Sequence, residues 1–275
     1  NNTLLFNNIA AATITGPVGG SGNVILTAFN PNTAGTLTLN GTSTGGWSGT
    51  TSVNAGMTLS LAADNQGLNN TSGLTLNGGN LTLTNTSATA VTNNRVSNAT
   101  ITSNGGTFTY TNTSGTGVYA ETIGTVALTS GQMNFNLATN QAGAGSQTLT
   151  LSALTQSGSG AVTFSAATTG PNATKNRIQV SGASATPAGQ IIGAWATTGT
   201  AANNQNDYAV YDASGYIVPA NIAASAETTW TTAANAYTLS TPAKTATVLT
   251  ATRNIAALKA SSTATVTSST TTAGS

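Results

Sequence analysis

Residues 35–61 read GTLTLNGTSTGGWSGTTSVNAGMTLSL. The stretch opens on a strict alternation, Thr36-Leu37-Thr38-Leu39, which closes on Asn40-Gly41. Successive side chains of a strand point to opposite faces, so the Leu row faces a core and the Thr row faces water. The pentapeptide LTLNG returns at residues 74–78, and LTL again at residues 81–83. Further alternations follow at Thr107-Phe108-Thr109-Tyr110-Thr111 and Gln147-Thr148-Leu149-Thr150-Leu151. The corners carry Gly or Asn, the residues that reach positive φ at least cost. Short, near-identical strands joined by such corners predict the coils of a parallel β-solenoid, each stacked on the next. A compact sandwich also uses short alternating strands, but seldom this many similar Gly/Asn corners. Leu37, Leu39, Leu74, Leu76, Leu81 and Leu83 are the predicted inward row.

Composition agrees. Charged residues make up 4% of the 275 residues, against about 25% in ordinary globular proteins. Thr supplies about a fifth of the chain, so neutral hydroxyls and amides do the solvating. Helix formers such as Glu, Lys, Arg and Gln are scarce beside Thr and Val. A hydrophobic share of 38% with net charge +1 is unlike the apolar-poor, highly charged profile of disorder. No basic run marks a nucleic-acid footprint, and no apolar stretch approaches the roughly 20 residues of a membrane span. There is no Cys and no His, which excludes a disulfide framework and thiolate metal sites. The opening residues carry neither an initiator Met nor a signal-peptide pattern, and read as those of a processed form or internal piece.

The register weakens between Gly170 and Ala224, where Pro171, Pro187 and Pro219 fall together with Lys175, Arg177, Trp195, Asp207, Tyr208, Tyr211, Asp212 and Tyr216. The organisation read from this is a solenoid over residues 1–169, irregular spacer coils over 170–224 with a lateral excursion near 200–215, and resumed coils over 225–275. Alternation returns at Tyr237-Thr238-Leu239 and at residues 245–250. Neither end carries a charged or helical cap, so both ends read as open. The tail from Ser261 is either a further strand and turn or a fraying end.

Residues 35–61 resemble the autotransporter-associated β-strand repeat of bacterial surface proteins. That repeat runs G-T-L-T-L-x-G, an aromatic-Gly corner, then T-x-V-x-A-G-T-L, with Trp47 here standing for the usual Tyr and Met57 for the usual Thr. Residues 164–217 are similar to the spacer that follows such repeats, through Asn176-Arg177-Ile178, Ile191-Ile192-Gly193-Ala194-Trp195-Ala196-Thr197 and Asp207-Tyr208-Ala209-Val210-Tyr211-Asp212. Residues 254–259 resemble the strand that reopens the next repeat. The resemblance implies a right-handed parallel β-helix on the outside of a large bacterial protein.

The chemistry available is sparse. The acids are Asp64, Glu121, Asp207, Asp212 and Glu227. Glycoside hydrolysis normally needs two carboxyls about 5 to 10 Å apart in one cleft. Only Asp207 and Asp212 are near in sequence, and their odd separation places them on opposite faces of an unbroken strand. The base-activated nucleophiles lack their usual His or Cys partner. No catalytic, cofactor-binding or metal residue is assigned; local backbone contacts for both Asp residues are expected in place of a calcium site. Lys175 and Arg177, on one face of a strand, read as a solvated pair near a corner, with an anion site, or a partner acid for Arg177, as the alternatives. Trp47, Trp195 and Trp230 read as corner or core packing, with stacking on sugars as the alternative. Asn-x-Ser/Thr sequons, as at Asn40, Asn80, Asn98, Asn112 and Asn172, are expected by chance at this composition.

The functional expectation is an extracellular, cell-surface structural or adhesive rod that is not an enzyme. Its partners are itself, end to end or laterally, neighbouring repeats of a longer chain, and surface glycans; nucleic acid and membrane insertion are not expected. The alternative is a glycan- or ice-binding module. Thr-x-Thr pairs such as Thr36-Leu37-Thr38, Thr82-Leu83-Thr84 and Thr107-Phe108-Thr109 suit it, while their irregular spacing argues against an aligned flat face.

Overall fold

A computed structural model of the chain describes every residue except 1, 8–9, 29, 31–33, 41–45, 65–66, 69, 89, 97–98, 140, 226–229, 240–246, 250–254, 260–265 and 269–275. Glu227, Asn98 and Asn254, each singled out above, therefore lie outside the described residues, as does most of the tail. Among the described residues the protein is all-β, with no α-helix.

Two parallel sheets face each other across one interior. The first stacks β1 (Thr3–Asn7), β3 (Asn23–Thr27), β5 (Thr50–Asn54), β7 (Gly73–Asn77), β10 (Ile101–Ser103), β12 (Val118–Leu128), β14 (Ser146–Gln156) and β16 (Asn176–Val180), with β9 (Val91–Val96) pairing the leading half of β12. The second stacks β2 (Ala11–Ile14), β4 (Gly35–Leu39), β6 (Met57–Leu61), β8 (Asn80–Asn85), β11 (Gly106–Asn112), β13 (Gln132–Leu137), β15 (Ala161–Ala166) and β17 (Ala196–Ala201). The chain visits the sheets in turn, so each coil contributes one rung to each: a parallel β-solenoid.

Register decides the interior. In the second sheet Leu37, Leu59, Leu81, Phe108, Phe135 and Phe164 form one column, and all are buried. The three Phe rings follow one another at 5.5 and 5.6 Å between centroids, a spacing at which an aromatic pair adds about 0.5–1.5 kcal/mol beyond its buried area. A second column runs Leu39, Leu61, Leu83, Tyr110, Leu137. Leu74 and Leu76 line the first sheet's inner face. All six Leu residues predicted to point inward are buried.

The corner from first to second sheet is tight and repeated. Asn54-Ala55-Gly56, Asn77-Gly78-Gly79, Asn104-Gly105-Gly106 and Ser130-Gly131 stack on one another, with Gly56, Gly78, Gly105 and Gly131 at positive φ. On the outside, Asn104 Nδ2 donates to Asn77 Oδ1 at 2.8 Å and Asn77 Nδ2 to Asn54 Oδ1 at 3.0 Å. Gly79 is required for a further reason: a Cβ there would sit 2.5 Å from the Val53 carbonyl oxygen of the coil beneath.

The opposite corners are long and uneven. One coil step takes 22 residues from Thr58 to Asn80 but 34 from Val162 to Ala196, where the excess lies at residues 181–195, between β16 and β17 on the otherwise tight side. This corrects one expectation. Unequal spacing in the sequence does not misalign the rows, because the corners absorb the difference while the paired strands keep register.

The lateral excursion takes the form of an antiparallel extension. β17 turns back into β18 (Asn204–Tyr211), which pairs antiparallel with β19 (Ile217–Pro219), so the second sheet ends in antiparallel strands. Beyond it, β20 (Ala224–Ser225), β21 (Ala236–Leu239) and β23 (Ala257–Lys259) form a small parallel sheet. β22 (Thr247–Leu249) pairs with β24 (Val266–Ser268). A second, small core joins Trp230 to Tyr237, their rings stacked at 5.6 Å, with Ile255 and Leu258 packed against them.

Candidate functional site

Three polar arrangements stand out: an exposed face, a buried chain and a cleft. The exposed face is the outside of the second sheet. Alternation puts Thr36, Thr58, Asn80, Thr107 and Asn134 in one column. Thr38, Ser60, Thr82, Thr109 and Asn136 form the parallel column two residues on. All are half-buried by their neighbours and uncharged. Rungs of a sheet lie about 4.8 Å apart, so the two columns make a regular grid of hydroxyls and amides. At β15 the grid is closed off: Ser165 is buried and accepts a hydrogen bond from Gln205 Nε2 at 3.1 Å.

The buried chain was not foreseen from the sequence. Arg95 of β9 and Glu121 of β12 form an ion pair, Nη2 to Oε2 at 2.8 Å, with both side chains almost wholly buried. Glu121 also accepts from Arg95 Nε at 2.9 Å and from the Arg95 backbone N–H at 2.8 Å. The Arg95 guanidinium donates to the Thr84 carbonyl at 2.8 Å and to Asn85 Oδ1 at 3.1 Å. From there amides relay coil to coil. Asn85 Nδ2 donates to Asn112 Oδ1 at 2.6 Å, Asn112 Nδ2 to Gln147 Oε1 at 2.7 Å, and Gln147 Nε2 to Asn176 Oδ1 at 2.9 Å. Asn85 Nδ2 also reaches the Tyr110 hydroxyl at 2.8 Å.

Burial raises the Glu121 carboxyl above the usual carboxylate range, and the Arg95 charge with its hydrogen bonds draws it part of the way back. Burial, helped by the Glu121 carboxylate, pushes the Tyr110 hydroxyl well above its usual value. Every member of the chain holds a partner, which is what lets a polar core persist in a low-dielectric interior. A signal for part of it exists in the sequence. Asn85 and Asn112 each close an alternation, LTLTN and FTYTN, and lie one coil step apart.

The cleft lies at the end of the regular stack. It has a volume of about 360 Å³ and is lined by Thr169, Gly170, Thr198, Gly199, Thr200, Asn206, Asp207, Pro219, Asn221 and Lys259. Asp207 Oδ1 accepts from the Tyr208 N–H at 2.8 Å and pairs with Lys259 Nζ at 3.3 Å, while Oδ2 accepts from the Asn221 N–H at 3.0 Å.

Asp207 and Asp212, the two acids near in sequence, do not share the cleft. Asp212 accepts from the N–H groups of Ser214 and Tyr216, at 2.8 and 2.9 Å, in a local turn away from the Asp207 cleft. Asp64 accepts from the N–H groups of Thr86 and Ser87, at 2.7 and 3.0 Å, one coil above it. Arg177 lies 5.9 Å from the Tyr216 ring centroid and has no ion pair to an acid among the described residues; Lys259, not Arg177, is the partner of a spacer acid. Lys175 lies just before β16, where its backbone N–H donates to Asn172 Oδ1 at 2.8 Å. Trp47 and Trp230 are buried, and Trp195 is half-buried against the core. The Trp47 indole N–H donates to Thr51 Oγ1 at 2.7 Å. No group of three or more acids that could hold a metal ion occurs among the described residues. No protein-family model, curated protein or solved structure matches this chain.

Proposed function

We propose that this chain is an extracellular structural or adhesive segment of a bacterial surface β-helix protein, whose coils add end to end into a stiff rod and which carries out no catalysis. The observation that supports it most is the stacking itself, in which buried columns continue in register from coil to coil, as Leu37 to Phe164 do in the second sheet. β1 and β2 are the outermost strands of their sheets, and Leu4, which continues the buried column of Val24, is about half exposed, as is its neighbour Leu5. An exposed strand edge with apolar side chains is a template for another strand, and the coil geometry already defines how the next rung sits. A net charge of +1 leaves little long-range repulsion between rods. The likeness of residues 35–61 to autotransporter-associated repeats points the same way, and no two described acids converge on one cleft.

Sedimentation velocity and small-angle scattering of the 275-residue chain over a concentration series test this. The expected result is association that lengthens the particle at constant cross-section and weakens at least roughly tenfold in Leu5→Lys, since a charge on an edge blocks strand addition. A compact monomer at every concentration, or association indifferent to Leu5→Lys, would rule the reading out. A second reading, glycan or ice binding, is favoured by one observation: the aligned hydroxyl and amide columns on the outer face of the second sheet.

A further inference from the structure

The cleft beside Asp207 has features that rod-building does not use. Along the solenoid the inward column is apolar up to Phe164, and the next position in register is Thr198. Thr198 pairs across the antiparallel ladder with Asp207, so both side chains stand on the same side of the sheet. The interior thus changes from stacked rings to a hydroxyl and a carboxylate within one coil. Thr198, one of the residues lining the cleft, is fully buried, yet its Oγ1 has no hydrogen-bond partner among the described residues. Buried hydroxyls normally have one.

The free valences define what fits. A carboxylate offers about four acceptor positions, and Asp207 uses three, on Tyr208, Asn221 and Lys259. The Lys259 ammonium has three donors and its side chain is partly exposed. Thr198 Oγ1 is open both as donor and as acceptor. The neighbours Thr200 and Asn206 add polar groups, and Pro219 is the one largely apolar side chain of the lining. An anion meets Asp207 and a cation meets Lys259, so neither enters without a like-charge contact. An apolar ligand leaves the hydroxyls and the ion pair dry and unmatched. A vicinal diol meets each demand: one hydroxyl donates to Asp207 while accepting from Lys259, and the other exchanges hydrogen bonds with Thr198.

We infer that the cleft formed by Thr198, Asp207 and Lys259 is a binding site for an uncharged polyhydroxyl ligand, a single sugar unit in size. The inference stands apart from the rod reading and from the outer hydroxyl grid. It is tested by saturation-transfer NMR and titration calorimetry on the full chain, using the methyl glycosides of glucose, galactose, mannose and N-acetylglucosamine, with inorganic phosphate as the charged comparison. At least one glycoside is expected to bind. Its affinity should fall roughly ten- to a hundredfold in Asp207→Asn and measurably in Thr198→Val, as loss of a hydrogen bond to a charged or buried group implies. Thr75→Val, on the outer face of the first sheet, should leave it unchanged. Thr198→Val keeps the branched shape and removes only the hydroxyl, so it reports even if Asp207→Asn fails to fold. Three outcomes overturn the inference: no glycoside binds, binding survives Thr198→Val and Asp207→Asn, or phosphate binds in preference.

Discussion

The interior of this solenoid holds two kinds of column, and they depend on different things. The column Leu37–Leu59–Leu81–Phe108–Phe135–Phe164 is held by area and shape. The chain Arg95–Glu121, Asn85, Asn112, Gln147, Asn176 is held by donors matched to acceptors. Both run along the axis and both are buried. An apolar column tolerates a change of residue if volume is kept. An amide column does not, because each lost partner leaves another polar group stranded in a low dielectric. The first makes a coil stable; the second fixes which coil sits on which, since a slip of one residue breaks every link.

The largest break in the comparison is at the ion pair. Arg95→Met leaves Glu121 buried without its counter-charge and is expected to cost about 3–5 kcal/mol near neutral pH. The double variant Arg95→Met with Glu121→Leu should recover most of that loss, because the pair's desolvation disappears with it. The pH dependence has a definite sign. With Arg95 gone, burial holds the folded Glu121 carboxyl above its unfolded value of about 4.3. The stability this provides is fully present below that value and is lost as pH rises through the higher folded value. Urea midpoints of Arg95→Met should therefore fall as pH is raised from about 4. In the parent the same sign holds, with smaller amplitude, because Arg95 draws the carboxyl back.

A cavity in the apolar column comes next. Leu81 is packed between Leu59 and Phe108, and Leu81→Ala should cost about 2–5 kcal/mol, read as a lowered urea midpoint with little change between pH 4 and 8. The smallest of the three effects is expected at Asn112. Asn112→Leu keeps much of the volume but strips Asn85 Nδ2 and Gln147 Oε1 of one partner each, at a cost of about 1–3 kcal/mol. If Asn112→Leu proves as mild as a volume-conserving swap in the Phe column, the two columns do not differ in kind and the contrast fails.

The two columns also differ in how far they could be read in advance. Leu37, Leu39, Leu74, Leu76, Leu81 and Leu83 announce themselves by period-2 alternation, a local property. The amide relay hides within that alternation: Asn85 and Asn112 look like the Asn of corners, although they lie inside. Arg95 and Glu121 stand 26 residues apart on strands that meet only through the coil step. Asp207 and Lys259 are further still from each other, Asn221 lies between them in the chain, and nothing local in any of the three signals a shared cleft.

What the sequence determined by itself is the kind of object: short strands with one apolar and one hydroxyl face, Gly and Asn at corners, almost no charge, hence coils that can bury their Leu rows only by stacking. Those choices are local because strand periodicity and positive φ are properties of neighbouring residues. The tertiary structure alone decided the register. Corners of unequal length gave no fixed repeat from which to count, so only strand pairing could place Thr36 in line with Thr58, Asn85 against Asn112, and Thr198 beside Asp207 where the apolar column ends.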